Sequence, residues 1–263
     1  MKTLLLVLLG VAAALLGAWE FWLSPFVIRY RLTIDVAVGD EIKRGSGVIQ
    51  TSWEKSDWFG LDGRRWAVDV TGQAVVIDLG ARGVLFSLLT RDGARPPLSN
   101  GSNTSPSTDP ASFLVAAFTA GRIIGIGNAS ADMLAEIERR RDVVEVAPSL
   151  LPMLVRFRNL KDPGSVERVD PGDLAGIYGP DVKLVRVTAQ VVPTGVWPLN
   201  LMDRRKPGWL FGEPVTTGIT NLLPWLDKHG PGSWITKDHG LAGTIVPPEK
   251  FLSYDNFVYG TRQ

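Results

Sequence analysis

The stretch that decides the fold is IRYRLTIDVAV, residues 28–38. Ile28, Tyr30, Leu32, Ile34, Val36 and Val38 fall on one side of the alternation, and Arg29, Arg31, Thr33, Asp35 and Ala37 on the other. Period-two alternation of this length predicts an antiparallel strand with one face in a core and the other toward water. Downstream, Gly45-Ser46-Gly47 leads into a second apolar strand over residues 48–53. RWAVDV (65–70) and QAVVIDL (73–79) alternate about Thr71-Gly72, the composition of a two-residue hairpin turn. The run 84–89 is apolar without alternation and predicts a strand buried on both faces. The first third of the domain is expected to be a β-meander.

Upstream of the strand, residues 4–23 carry a single charge, Glu20. About 20 helical residues rise ~30 Å, the thickness of a bilayer's hydrocarbon core. Glu20 lies at the end of the run beside Trp19, Phe21 and Trp22, where aromatic side chains form an interfacial belt and a carboxylate reaches water. Pro25 then ends the helix. The rival reading is a cleaved signal peptide, with Lys2 as a minimal basic region and Ala12-Ala13-Ala14 as a small-x-small site. Cleavage there leaves an exposed apolar tail, and the site ending at Ala18 has Leu16 at its third-last position. Residues 1–26 are therefore read as an uncleaved transmembrane anchor, with Trp19 and Trp22 at the membrane interface. Residues 27–263 are read as one extracytoplasmic, β-rich α+β domain. The short N-terminal tail favours this orientation, in a bacterial inner membrane with the domain in the periplasm, although Lys2 is balanced by Arg29 and Arg31 on the other side.

Beyond the meander, residues 91–112 (RDGARPPLSNGSNTSPSTDPAS) hold Ser, Asn, Pro and Gly without a hydrophobic period and read as a flexible loop. A helix follows with Asp109 as cap, Pro110 in its first turn, and Phe113, Leu114, Val115 and Phe118 making it apolar nearly all round. A second helix, from about Ser130 to Arg141, has Asp132 early and Arg139, Arg140 and Arg141 late, matching the helix dipole, with Met133, Leu134 and Ile137 as its buried stripe. MLVRFR (153–158) and VKLVRVTAQVV (182–192) are strands, the second with Val185, Val187, Ala189 and Val191 on one face. Between them VDPGDLAGIYGP (169–180) predicts a short helix capped by Asp170 and stopped at Gly179-Pro180. Later, Ile219, Leu222, Leu223 and Leu226 have helical spacing that Pro224 interrupts.

Composition narrows the function classes. The 263 residues are 45% hydrophobic and 21% charged, enough apolar material for a sizeable core. A net charge of +1 supplies no field for nucleic acid, and no nucleic-acid partner is expected. The absence of cysteine removes disulfides, thiolate nucleophiles and Cys-ligated zinc. With two histidines and no carboxylates at ligand spacing, neither a metal nor another cofactor is expected.

Four local patterns carry chemistry to be weighed. Gly125-Ile126-Gly127-Asn128-Ala129-Ser130 lacks the third glycine and the later acidic residue of a dinucleotide-binding turn, and reads as the opening of a helix. Asp238-His239 is the best catalytic pair, a weak candidate because adjacent residues seldom orient one another and no G-x-S-x-G elbow supplies a nucleophile. His229, beside Lys228 after a predicted helix, reads as a helix-end cation. Two aromatic and basic stretches say more. WEKSDWFGLDGRRW (53–66) holds Trp53, Trp58, Phe59, Arg64, Arg65 and Trp66, and VWPLNLMDRRKPGWLF (196–211) holds Trp197, Arg204, Arg205, Lys206, Trp209 and Phe211. On a tethered domain such residues suit contact with lipid or a membrane partner, and Arg204, Arg205, Lys206, Trp209 and Phe211 are the contact candidates. The plain alternative makes the aromatics core pegs and the charges solvated.

RYRLTIDV (29–36) after an apolar span, SGVI (46–49), VERVDPGDLAGIYGPDVKLVRVTAQV (166–191) and EPVTTGITNLLPWL (213–226) together resemble a family of bacterial single-pass envelope proteins with no assigned function. The shared motifs are strand and turn patterns, so the resemblance implies a location and no activity. The expected function is a membrane-tethered, non-enzymatic binding or scaffolding domain whose partners are the bilayer, through the N-terminal helix, and a membrane protein. An envelope hydrolase using His239 and an accessory subunit of a membrane complex are the alternatives.

Overall fold

The computed structural model describes residues 7, 10–11, 26–55, 66–91, 110–119, 128–195, 212–230, 235, 252 and 254–259. The predicted first strand is β1 (Phe26–Val38), and it lies inside a sheet. It pairs along its whole length with β2 (Glu41–Lys55) and over Arg29 to Val38 with a later strand, Val182–Val192. In chain order the remaining strands are β3 (Trp66–Gln73), β4 (Val75–Asp78), β5 (Val84–Arg91), β6 (Val143–Glu145), β7 (Pro152–Phe157), β8 (Val166–Val169), β9 (Val182–Val192) and β10 (Val258–Tyr259). They form a six-stranded sheet in the order β10-β3-β2-β1-β9-β6 and a four-stranded sheet in the order β4-β5-β7-β8, with every pairing antiparallel. Four α-helices accompany them after β1 among the described residues: α1 (Pro110–Phe118), α2 (Ala131–Arg139), α3 (Ala175–Tyr178) and α4 (Ile219–Leu222). The fold is α+β with antiparallel sheets.

Two cores follow from β5, which is buried on both faces as its apolar run, interrupted at Ser87, predicts. Leu85 and Leu89 point into a core shared with Ile28, Tyr30, Leu32, Ile34 and Val36 of β1 and with Leu114, Val115, Leu134 and Ile137 of α1 and α2. Phe86 and Leu88 point the other way, into a core with Met153, Val155 and Phe157 of β7 and with Ile219, Trp225, Leu226 and Phe257 from the C-terminal third. Alternation in β5 thus places one small sheet between two apolar layers.

Three local readings, a strand start, a turn and a strand face, come out differently. Gly45-Ser46-Gly47 is inside β2. A Cβ on Gly45 would lie closer than 3.0 Å to the Val76 carbonyl oxygen and 2.6 Å from Ile77 Cγ1, so the glycine is there for the close crossing of β4. Thr71-Gly72 makes no hairpin, because β3 runs through it, pairing Thr71 with Gln50, and Gly72 lies flat against Ile49. The chain passes from the first sheet to the second at Ala74, whose N–H donates to the Phe257 carbonyl (2.8 Å). In β9 the register slips one residue, pairing Asp35 with Arg186 but Val36 with Leu184. Val185 is the extra residue of this bulge and turns outward, while Leu184 packs toward the core beside Val187, Ala189 and Val191.

The second face of β1 was expected to meet water, yet Arg29 is 0% and Asp35 3% exposed. Asp35 lies between Arg44 of β2 and Arg186 of β9, its direct neighbours across the sheet. Arg44 Nε donates to Oδ1 at 2.6 Å and Arg186 Nε to Oδ2 at 2.8 Å. The hydrogen bond from Arg44 leads the effects that hold the Asp35 carboxyl below its usual range, partly opposed by burial. A carboxyl whose folded pKa is depressed stabilises the fold above its unfolded value of ~3.9 and loses that contribution as pH falls through the folded value. Asp35→Asn is therefore expected to cost about 1 kcal/mol at pH 7, a modest figure because both arginines are half exposed. Urea unfolding at pH 7 and at pH 3 should show the gap between variant and wild type closing at the acid end.

The helices follow their predicted signals with one shift. α1 is buried nearly all round, and Asp109 before it lies outside the described residues. Ser130 Oγ caps α2 by accepting from the Met133 N–H (3.2 Å), and Leu134 and Ile137 are buried. The short helix expected from Asp170 begins later, at Ala175, because the Asp170 carboxylate accepts from Gly172 N–H (2.8 Å) and closes a turn of its own. Asp173 takes the capping role, accepting from Gly176 N–H (2.9 Å), and Gly179 ends the helix at φ 114°. Pro224 divides α4 from a 3₁₀ turn, Pro224–Lys228, as the spacing predicts.

Candidate functional site

The residues of interest collect at the end of the first sheet where β1 begins. Phe26 is paired with Trp53, and β2 and β3 run two residues further to the pair Lys55 and Trp66. Trp66 is the hub of an aromatic cluster: its ring meets Phe26 edge-on at 5.8 Å and Trp53 at 6.5 Å, and its Nε1–H donates to the Ala129 carbonyl (2.7 Å). Trp53 is fully buried and donates through Nε1 to Thr51 Oγ1 (2.9 Å). Of the first aromatic and basic stretch, Trp53 and Trp66 are thus core pegs, as the plain alternative has it. Trp58, Phe59, Arg64 and Arg65 lie outside the described residues.

β9 ends at the same end, opposite Arg29. The chain leaves it through Gly195 and is described again from Gly212, where Glu213 N–H donates to the Pro193 carbonyl (2.8 Å). A Cβ on Gly212 would come 2.7 Å from the Thr194 carbonyl oxygen, so the two limbs of this neck touch backbone to backbone. The neck is tied to the outer face of β1. Arg29 Nη1 donates to the Glu213 carbonyl (2.6 Å), and Arg31 pairs with the Glu213 carboxylate. Thr216 then bonds Val48 in both directions, closing the edge of β2 where β3 has left the sheet.

Arg29 is the unusual group. Its side chain is buried, its Nε donates to Gln50 Oε1 at 2.7 Å, and burial pushes its pKa down from the ordinary arginine value, with Glu213 opposing. Gln50 Nε2 is buried without a hydrogen-bond partner. Neither residue was singled out from the sequence, where Arg29 reads as the solvent face of a strand. The only signal was that two arginines flank Tyr30 and an acidic residue opens the motif EPVTTG far downstream. Arg140 and Arg141 complete the pole: Gln190 Nε2 donates to the Arg141 carbonyl (3.1 Å), and Arg140 caps α1 by donating to the Phe118 carbonyl (2.7 Å).

The remaining predicted site residues are quickly placed. His229 stacks edge-on against Trp225 with ring centroids 6.2 Å apart, the packing of a helix-end residue. Asp238 and His239, the contact candidates Arg204, Arg205, Lys206, Trp209 and Phe211, and the interfacial Trp19 and Trp22 all lie outside the described residues. The same holds for Gly125, Ile126 and Gly127, whereas Ser130 of that pattern does open a helix. Among the described residues no three His, Asp or Glu side chains are grouped to hold a metal ion, and no helix is long and apolar enough to cross a membrane. Comparison of the chain with protein-family models, with curated proteins and with solved structures finds no match.

Proposed function

We propose that the protein is a membrane-tethered envelope domain, facing the periplasm, that binds or organises a partner at the bilayer surface without catalysing a reaction. The observation that carries this reading is the shared end of three segments. The apolar N-terminal run joins the sheet at Phe26, the stretch 56–65 links Lys55 to Trp66 in sequence, and the stretch 196–211 links Gly195 to Gly212. Each carries tryptophan, and the last two carry arginine. Strand pairing puts their attachment points side by side although they lie up to 186 positions apart, from Phe26 to Gly212.

A tether of so few residues between the apolar run and β1 keeps that end of the sheet near the bilayer. Val7 and Val11, one helical turn apart, are helical and exposed at 59% and 51%, as lipid-facing positions of an anchor would be. Arg204, Arg205 and Lys206 would then feel an anionic surface within a Debye length, at ~1 kcal/mol each, and Trp209 and Phe211 would add an apolar contribution that salt does not screen.

The domain of residues 27–263 is accordingly expected to sediment with anionic vesicles and less with zwitterionic ones. Arg204→Glu/Arg205→Glu should lose most of the low-salt binding, and Trp209→Ala most of what persists at high salt. A wild-type domain that stays in the supernatant at low salt would remove the membrane contact from the proposal.

A further inference from the structure

We propose that β6 is a docking edge for a second copy of this chain, the two β6 strands pairing antiparallel about a two-fold axis between their Val143 residues. The proposal goes beyond the membrane reading and rests on other residues. β6 ends the six-stranded sheet, and among the described residues no strand pairs with its far side. Val146 N–H donates to the Val187 carbonyl (2.9 Å), which fixes the alternation of its main-chain groups. Val144 therefore turns its N–H and C=O toward β9, and Val143 and Glu145 turn theirs outward, unpaired in the sheet. Such an edge is a template for another strand, and natural edges are commonly blunted by lysine, proline or a bulge. The Val-Val-Glu of β6 carries none of these.

The sequence around this edge is complementary to itself. Arg141 lies two residues before Val143 and Glu145 two residues after, and all three are exposed, Val143 at 59%. An antiparallel pair centred on Val143 sets it against the partner's Val143 and sets Glu145 against the partner's Arg141, a contact that symmetry makes twice. Both charges are available for it. Arg141 Nη1 donates to the main-chain carbonyls of Glu138 (2.7 Å) and Arg140 (2.6 Å), which leaves its charge without a carboxylate. Glu145 makes no ion pair among the described residues, whereas Asp142 is already paired with Arg140. A register centred on Val144 instead sets Glu145 against the partner's Val143 and leaves the charges unmatched, so charge selects the centre. Strands this short exchange few main-chain bonds, and the cross-strand charges then decide whether they pair. The two-fold axis stands normal to the sheet, which puts the two Phe26 ends at opposite sides of the pair. Both reach one bilayer when the strands lie along its surface.

The test is sedimentation equilibrium of the full chain in a density-matched non-ionic detergent. Wild type is expected to dimerise reversibly as its concentration rises. Glu145→Arg, a change at an exposed side chain that should leave the unfolding transition where it is, should weaken the dimer about tenfold by setting like charges across both pairs. Arg141→Glu should do the same, and Arg141→Glu/Glu145→Arg, which exchanges the two charges, should restore wild-type association. The absence of native cysteine allows the register to be checked as well. Val143→Cys should close an intermolecular disulfide under mild oxidation, because the paired Cα atoms would lie about 5.5 Å apart. Ile42→Cys, exposed at 54% on β2, should not. A wild type that stays monomeric, a dimer indifferent to Glu145→Arg, or a double variant that associates no more tightly than either single one would overturn the proposal.

Discussion

Gly45→Val is expected to destabilise the fold by about 3 kcal/mol, at the upper end of overpacking substitutions. The new Cβ would meet the Val76 carbonyl and Ile77 Cγ1 at distances no real side chain tolerates, and one of the obstacles is backbone. Relief would require β4 to lift off β2, which would open the shared core where Val75 and Ile77 pack against β1. Gly47 is the internal comparison. Its added Cβ would first meet a side-chain atom, Val75 Cγ2 at 3.0 Å, a contact that a small shift of the two strands relieves, so Gly47→Ala should cost ~1 kcal/mol. Ser46, exposed between them, should accept alanine within about 0.5 kcal/mol. Denaturant unfolding of the three variants checks the ranking. Equal costs at Gly45 and Ser46 would mean that the crossing of β4 over β2 is not tight.

These glycines show where the fold was legible in the sequence and where it was not. Period-two alternation over residues 28–38 located β1 and its core face, because the side-chain period is a property of the strand itself. The apolar run of β5, the helix opening at Ser130 and the break at Pro224 were equally local and were read correctly. Gly45 was placed ahead of a strand and Gly72 was taken for a turn, because a glycine required by a close crossing looks the same, in its own window, as one that punctuates a strand or a bend. What distinguishes them is Val76 and Ile77 over one and Ile49 under the other, neither adjacent in sequence to the glycine it constrains. The Val185 bulge was hidden for the same reason, since only pairing with β1 reveals a register slip. The candidate pole was legible as aromatic and basic composition. That its segments are attached at a common end depends on strand register, which composition does not carry. Arg29 was misread because the group that covers it, Glu213, lies 184 positions away.

Arg29→Ala is expected to cost about 3 kcal/mol or more, the penalty for breaking a buried charged network from one side. The substitution empties a fully buried volume, removes the donor to Gln50 Oε1 on a side chain whose Nε2 already lacks a partner, and strips one donor from the Glu213 carbonyl. Loss of stability alone would not say what Arg29 is for. Arg29→Met combined with Gln50→Leu replaces the buried polar pair by apolar groups of similar volume, an exchange that is often neutral, and should unfold within about 1 kcal/mol of wild type. That double variant keeps the sheet while releasing one of the two ties by which β1 holds Glu213, the other being Arg31. If Arg29 serves to set the neck between Gly195 and Gly212, the double variant of residues 27–263 should fold with wild-type circular dichroism and yet sediment less with anionic vesicles. Adding Arg31→Gln, which releases the second tie, should weaken the association further. Undiminished sedimentation of the folded triple variant would show that the stretch 196–211 needs no fixed neck to reach lipid, and would leave Arg29 a structural residue of the sheet.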